Sequence, residues 1–276
     1  MKKQRPLDIQ NRKNSDDAII CLTAYSDFMT RLIDAHADLI LVGDSVGNVL
    51  YGMETTLPVT LEMMSVHGRA VANAARSSCV IVDMPFGSYQ ESLELAFRNA
   101  AKIMAETGCD GIKLEGGSEM AETIAFLTQR GIPVMAHIGL QPQLVNTLGG
   151  FKAQGKDDAS YQKLIEDARA VQKAGAFSVV VECVVREAAS ELTQMLSIPT
   201  IGIGASNQCD GQILVTEDML GLTARKAPKF VKKFADLAPQ ITSAIESYAA
   251  EVNSGSYPTE EHEYHAPQNQ VKVVKR

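Results

Sequence analysis

Thr107-Gly108-Cys109-Asp110-Gly111-Ile112-Lys113-Leu114-Glu115-Gly116-Gly117 is the stretch on which the fold turns. Thr107-Gly108 closes a segment of helical periodicity, because a glycine just past the last helical residue supplies the left-handed conformation that a helix end needs. Gly111–Leu114 then reads as a short strand, with Glu115 at its C-terminal end. Lys113 and Glu115 are two residues apart, so the strand period sends both side chains to one face. A lysine directed with a glutamate into a core needs partners, which marks this strand end as a place for chemistry as well as packing.

The same unit recurs in both directions along the chain. Runs rich in Val and Ile read as strands at Ala18–Ala24, Leu39–Gly43, Cys79–Asp83, Pro133–Ala136, Phe177–Val181, Thr200–Ile203 and, more weakly, Gln212–Val215. With Gly111–Leu114 they make eight. Arg130-Gly131 and Ala174-Gly175 repeat the helix-stop glycine before the next strand. Ser88 with Glu91 fits a capping box ahead of the stripe Leu93, Phe97, Ala100, Ala101 and Met104, while Leu164, Ala168 and Val171 mark the inner face of another helix. Strands alternating with helices make βαβ units and a parallel sheet. Eight strands close into a barrel or spread as an open doubly wound sheet; the count and the length of 276 residues favour an α/β protein with one (β/α)8 barrel over residues 1–253. From Ser254 the chain turns polar, with Pro258, three glutamates within Glu260–Glu263 and a basic end at Lys272, Lys275 and Arg276, and reads as a tail.

The totals narrow the partners. Twenty-six basic against 33 acidic residues give a net charge of −7, which argues against a broad surface for nucleic acid or anionic lipid and for a small-molecule partner. The five cysteines, Cys21, Cys79, Cys109, Cys183 and Cys209, are odd in number and contain no CxxC, so neither a disulfide framework nor zinc is indicated. Met1–Asp17 is charged and polar with no apolar leader, and no apolar run approaches the roughly 20 residues needed to span a bilayer. The expected setting is the cytoplasm.

Charged residues gather at one end of the strands. Asp44 follows the second strand, Asp83 ends the third, Glu115 the fourth, His137 the fifth and Glu182 the sixth. In a barrel that is the rim where remote loops converge on one ligand. Carboxylates from neighbouring strands invite a hard cation, and Mg²⁺ suits them because it takes oxygen ligands and keeps several waters. A single strand-end aspartate serves equally well as a cap or loop support; the set shifts the odds. Lys113 beside Glu115 suits a carboxylate or enolate, His137 can donate to substrate, and Glu182 is the best placed general base. Ser45 reads as a hydrogen-bond donor beside Asp44 or as a cap. Gly202-Ile203-Gly204-Ala205-Ser206 lets backbone approach a ligand but lacks the spacing of a nucleotide loop.

At these residues the sequence resembles the ketopantoate hydroxymethyltransferases. The matching segments include Thr23-Ala24-Tyr25, Val42-Gly43-Asp44-Ser45, Val82 through Tyr89, Ile112 through Gly117, Ala136-His137-Ile138-Gly139-Leu140, Val181 through Val184, Ile201 through Ala205 and Asp210-Gly211-Gln212. Three positions depart from the usual pattern: Ala136, Gln141 and Ser206. The resemblance implies a TIM barrel of the phosphoenolpyruvate mutase-like superfamily, and a transferase moving a hydroxymethyl group from methylene-tetrahydrofolate to 3-methyl-2-oxobutanoate. It also implies Mg²⁺ held by Asp44, Asp83 and Glu115, keto-acid contacts at Ser45, Lys113 and His137 together with Asp44 and Asp83, proton acceptance by Glu182, and a homo-decamer. Two rivals stand beside it: another magnesium-dependent keto-acid lyase or mutase of the superfamily, and a keto-acid-binding barrel without turnover, against which the intact Lys113 and Glu182 argue.

Overall fold

Each strand divides its side chains between two cores, and that division decides where the polar residues end up. The computed structural model describes residues 2–148, 153–223 and 227–266. Its strands are β1 (Ile19–Thr23), β2 (Leu39–Val42), β3 (Cys79–Asp83), β4 (Gly111–Glu115), β5 (Val134–Gly139), β6 (Ser178–Glu182), β7 (Thr200–Ile203) and β8 (Gly211–Leu214). All are parallel, follow one another in sequence order, and close with β8 paired onto β1. The open-sheet alternative is thereby excluded, and the eight expected strands are all present, Cys79–Asp83 and Thr200–Ile203 as expected and the others with ends shifted by at most three residues.

Ile112 and Leu114 of β4 face outward into the apolar layer shared with the surrounding helices, as do Val134, Ala136 and Ile138 of β5 and Val179 and Val181 of β6. The opposite residues point inward. Cys21, Leu39, Leu41, Cys79, Ile81, Met135 and Val180 fill the barrel's lower and middle levels, which leaves Asp83, Lys113, Glu115, His137 and Glu182, one or two steps further along the same faces, at the top. The predicted shared face of Lys113 and Glu115 is therefore realised.

The helices obey the expected stop rule: Gly108, Gly131 and Gly175 all have positive φ, at 73°, 83° and 95°. The capping prediction needs correction. The helix Leu93–Thr107 is capped by Ser92, whose side chain accepts from the Leu95 amide, whereas the Ser88 hydroxyl donates to Pro85 O. Four residues of extra loop separate Ser88 from the helix, and the nearer serine takes the cap. The predicted inner face of the helix Asp158–Lys173 is as expected, with Leu164, Ala168 and Val171 buried.

The barrel floor is closed by the segment that reads in sequence only as polar. In the short helix Pro6–Gln10, Ile9 is fully buried in the inner core. Three cations on either side of it meet three aspartates that each precede a strand: Lys3 with Asp110 at 3.0 Å, Arg12 with Asp38 at 2.6 Å and Lys13 with Asp210 at 2.8 Å. Each aspartate also accepts a backbone amide from a neighbouring strand, Val80, Ile20 and Thr200 respectively.

At the other end of the chain the helix Ala238–Ser254 buries none of its residues. Ile241, Ile245, Tyr248 and Val252 form an exposed apolar stripe along it. The expected basic end at Lys272, Lys275 and Arg276 lies outside the described residues. All five cysteines are free thiols, four of them buried. Among the described residues no helix is long and apolar enough to cross a membrane.

Candidate active site

A cavity of about 1270 Å³ opens at the C-terminal ends of the strands, and Asp44, Ser45, Asp83, Lys113, Glu115, His137 and Glu182 all line it. The sequence-predicted residues thus meet in one place. Parallel pairing sets their order around the rim: Asp83 is the register partner of Lys113, Glu115 of His137, and Gly139 of Glu182.

Backbone conformation brings the last of these close. Gly139 has φ +90°, and a Cβ there would lie 2.4 Å from Glu182 O, so only glycine lets β5 end against β6. Cys183, with φ +50°, turns the chain sharply just after Glu182. A non-glycine residue in that region costs on the order of 1 kcal/mol, and such strain concentrates at functional sites.

Lys113, with only 4% of its surface exposed, is the hub. Its Nζ lies 3.0 Å from Asp83 Oδ1, an ion pair outside hydrogen-bonding angles, and 3.2 Å from His137 Nδ1. On the far side of the imidazole, Nε2 lies 3.3 Å from Glu182 Oε2. Burial and the adjoining Lys113 lower the His137 pKa, so the ring is neutral. A neutral ring facing an ammonium at Nδ1 carries its proton on Nε2, toward Glu182.

Ser45 precedes the short helix Val46–Leu50 but makes no capping bond; its hydroxyl is 2.8 Å from that of Tyr25. The donor reading suits it better than the cap. Asp83 also supports a loop, its Oδ2 accepting from the Asp44 amide at 3.0 Å.

The electrostatics are unbalanced. Burial raises the pKa values of Asp44, Asp83 and Glu115, against the opposing pull of Lys113, and Asp83 is pushed up to about 7. Burial lowers the Lys113 pKa, but Asp83, Glu115 and Asp44 outweigh it and raise it overall. Three buried carboxylates thus share one ammonium and a neutral imidazole. Among the described residues, no three acidic, histidine or cysteine side chains gather closely enough to enclose a cation unaided. Mg²⁺ asks for less, since one or two carboxylates with water and substrate oxygens complete its shell. The all-oxygen donors and the surplus of buried negative charge fit such an ion.

One residue at the centre of this arrangement was not legible as functional. Gln143, in the turn after β5, is buried and contacts both Asp44 and Glu115. Its signal was positional only: it follows a strand in a rim loop but carries no charge.

The family model of the ketopantoate hydroxymethyltransferases matches residues 3–260. This chain belongs to that family. A 3-methyl-2-oxobutanoate hydroxymethyltransferase from Brucella suis is 57% identical over 265 residues, 96% of each chain. One from Agrobacterium fabrum is 61% identical over 246 residues, 89% of this chain and 88% of its own. Among solved structures, a phosphonopyruvate hydrolase in complex with oxalate and Mg²⁺ superposes with a TM-score of 0.61 at 11% identity, covering 96% of this chain and 93% of its own. A 2,3-dimethylmalate lyase of the PEP mutase/isocitrate lyase superfamily gives 0.57 at 15%, covering 94% and 88%. At such identities the likeness shows the shared barrel fold and nothing beyond it.

Proposed function

We propose that this chain transfers a hydroxymethyl group from methylene-tetrahydrofolate to 3-methyl-2-oxobutanoate, giving 2-dehydropantoate for pantothenate biosynthesis. The observation that carries the reading is the meeting of a buried carboxylate cluster, one lysine and a histidine-linked glutamate in a single cavity. Relatives at 57–61% identity bear the transferase name, whereas lyases resemble the chain only in fold. That favours transfer over a lyase or mutase reaction.

Asp44, Asp83 and Glu115 would hold one Mg²⁺ per subunit, which when bound supplies Lewis-acid polarisation of the keto acid. Lys113, fixed by Asp83, places an ammonium where negative charge develops on the keto oxygen. Ser45 offers a hydroxyl oriented by Tyr25 to the same substrate. His137 stands with Nε2 3.3 Å from Glu182 Oε2, outside hydrogen-bonding angles, and places a neutral polar group beside that carboxylate. Glu182 removes the C3 proton as general base, and the resulting enolate pair forms the new carbon–carbon bond to the one-carbon unit. Both C–N bonds of the methylene bridge break, one replaced by the new carbon–carbon bond and one by the bond to a water oxygen, and the C3 proton and one water proton end on the two folate nitrogens. The cavity, larger than the roughly 300–1,000 Å³ of an ordinary ligand pocket, supports a second, bulkier substrate.

The chain is further read as a cytoplasmic homo-oligomer, a decamer by family resemblance. The exposed stripe Ile241, Ile245, Tyr248 and Val252 supports assembly, because an apolar helix face of that length favours burial.

NMR of 3-methyl-2-oxobutanoate in D₂O tests the chemistry. Loss of the C3 proton with enzyme and Mg²⁺, suppressed by EDTA, and formation of 2-dehydropantoate once methylene-tetrahydrofolate is added are the expected results. Exchange without product rejects the folate reaction, and absence of both rejects the reading altogether.

A further inference from the structure

Gln143 donates to two of the three clustered carboxylates. Only 3% of it is exposed. Its backbone N–H donates to Glu115 Oε2 at 3.0 Å, and its side-chain Nε2 donates to Asp44 Oδ2 at 2.9 Å and to Met84 O at 3.0 Å. Its Oε1 accepts from the Tyr89 hydroxyl at 2.7 Å and from Gln90 Nε2 at 3.2 Å. The amide cannot be the other way round, because the Met84 carbonyl only accepts and must face the NH₂. Tyr89 is itself anchored, receiving the Glu115 amide at 3.1 Å.

We propose that Gln143 is the positioning residue of the cation site, holding Asp44 by Oδ2 and Glu115 by Oε2 and leaving the second oxygen of each for a divalent cation to take, that of Glu115 lying 3.7 Å from His137 Nδ1. The inference rests on the reading of the site given above. Residue 143 reaches Asp44 across 99 residues and Glu115 across 28, joining β2 and β4 through a turn that begins with Pro142. Proline fixes the backbone where the amide must be presented.

The choice of an amide has a reason. Lysine or arginine here would hold the carboxylates as firmly but cancel the charge that attracts the cation. A neutral donor fixes both and leaves their full charge in place. Partners beyond the direct ligands commonly change metal affinity by about 10–100-fold when removed.

Mn²⁺ binding to the free enzyme, followed by electron paramagnetic resonance without substrates, tests this apart from turnover. Gln143→Met keeps the volume and the backbone N–H but loses both side-chain donors. The expected result is Mn²⁺ affinity roughly 10–100-fold weaker, with kcat recovering as Mg²⁺ is raised. A merely structural role would lower the unfolding midpoint and leave the affinity of the folded protein unchanged, and that result overturns the proposal. Tyr89→Phe is the second variant, removing only the hydroxyl that orients Oε1. Weakened Mn²⁺ binding supports the proposal even where Gln143→Met does not fold, and wild-type affinity in Tyr89→Phe overturns it. A wild-type protein that binds no Mn²⁺ rejects the cation site itself, an outcome distinct from either variant's failure.

Discussion

The two rims of the barrel use the same side chain in opposite ways. At the floor, Asp38, Asp110 and Asp210 each have a cation and at least one backbone amide of their own. At the mouth, Asp44, Asp83 and Glu115 share Lys113, and burial raises all three pKa values. A carboxylate with its own partner is finished business for the fold. A carboxylate sharing one with two neighbours holds free energy in reserve for a ligand, and that imbalance, more than the presence of acids, separates the working end from the structural end.

The contrast is broken or sharpened first at Glu182. Glu182→Gln keeps the size and loses the base, and is expected to cut kcat by roughly 10²–10⁴-fold while the unfolding midpoint stays in place. Steady-state kinetics beside a thermal melt checks both halves, and undiminished turnover removes Glu182 from the reaction. At the floor the effects exchange places. Lys13→Ala leaves the part-buried Asp210 beside Thr200 without its cation, a loss of about 1–3 kcal/mol in urea unfolding, with kcat of the folded enzyme unaltered. If that variant unfolds like wild type, the claim of individually satisfied floor aspartates is wrong.

Glu217, after β8, provides a third case. It sits near the mouth with Oε2 buried and unpartnered, and burial raises its pKa from 4.5 to about 7. The folded chain therefore favours the protonated form: the stability this allows is present below about 4.5 and is lost as pH rises through about 7. Glu217→Gln should then gain on the order of 2 kcal/mol at pH 8 and little at pH 5. Equal gains at both values would show that packing, and not charge, limits the site. The smallest change belongs to Lys3→Ala, whose half-open pair with Asp110 is worth about 0.2–1 kcal/mol and weakens with salt.

Sequence patterns reached the barrel and the seven rim residues because both follow from local rules. Period two assigns Lys113 and Glu115 to one face, and a strand-end position assigns them to the mouth, with no knowledge of distant partners. The floor was opaque for the opposite reason. Lys13 looks like any basic residue of a polar segment until Asp210, 197 residues away, is placed beside it. Gln143 was hidden twice, by long separation from Asp44 and by a neutral side chain that no charge pattern detects. The Ser88 reading failed on a narrower point: two serines precede the helix, and pattern alone could not decide which one meets the first free amide.

The pairing of β1 with β8 also sets a timetable. Thr23 finds its partner Thr216 after 193 further residues. At roughly 5–20 residues per second of synthesis, β1 therefore waits about 10–40 s with one edge unpaired. Non-local closure of this kind is slow for the same entropic reason. An open apolar edge is a template for joining another chain, so nascent chains released before Gly211 have been made expose two such edges, on β1 and β7, and aggregation of truncated products is the hazard that this ring architecture carries.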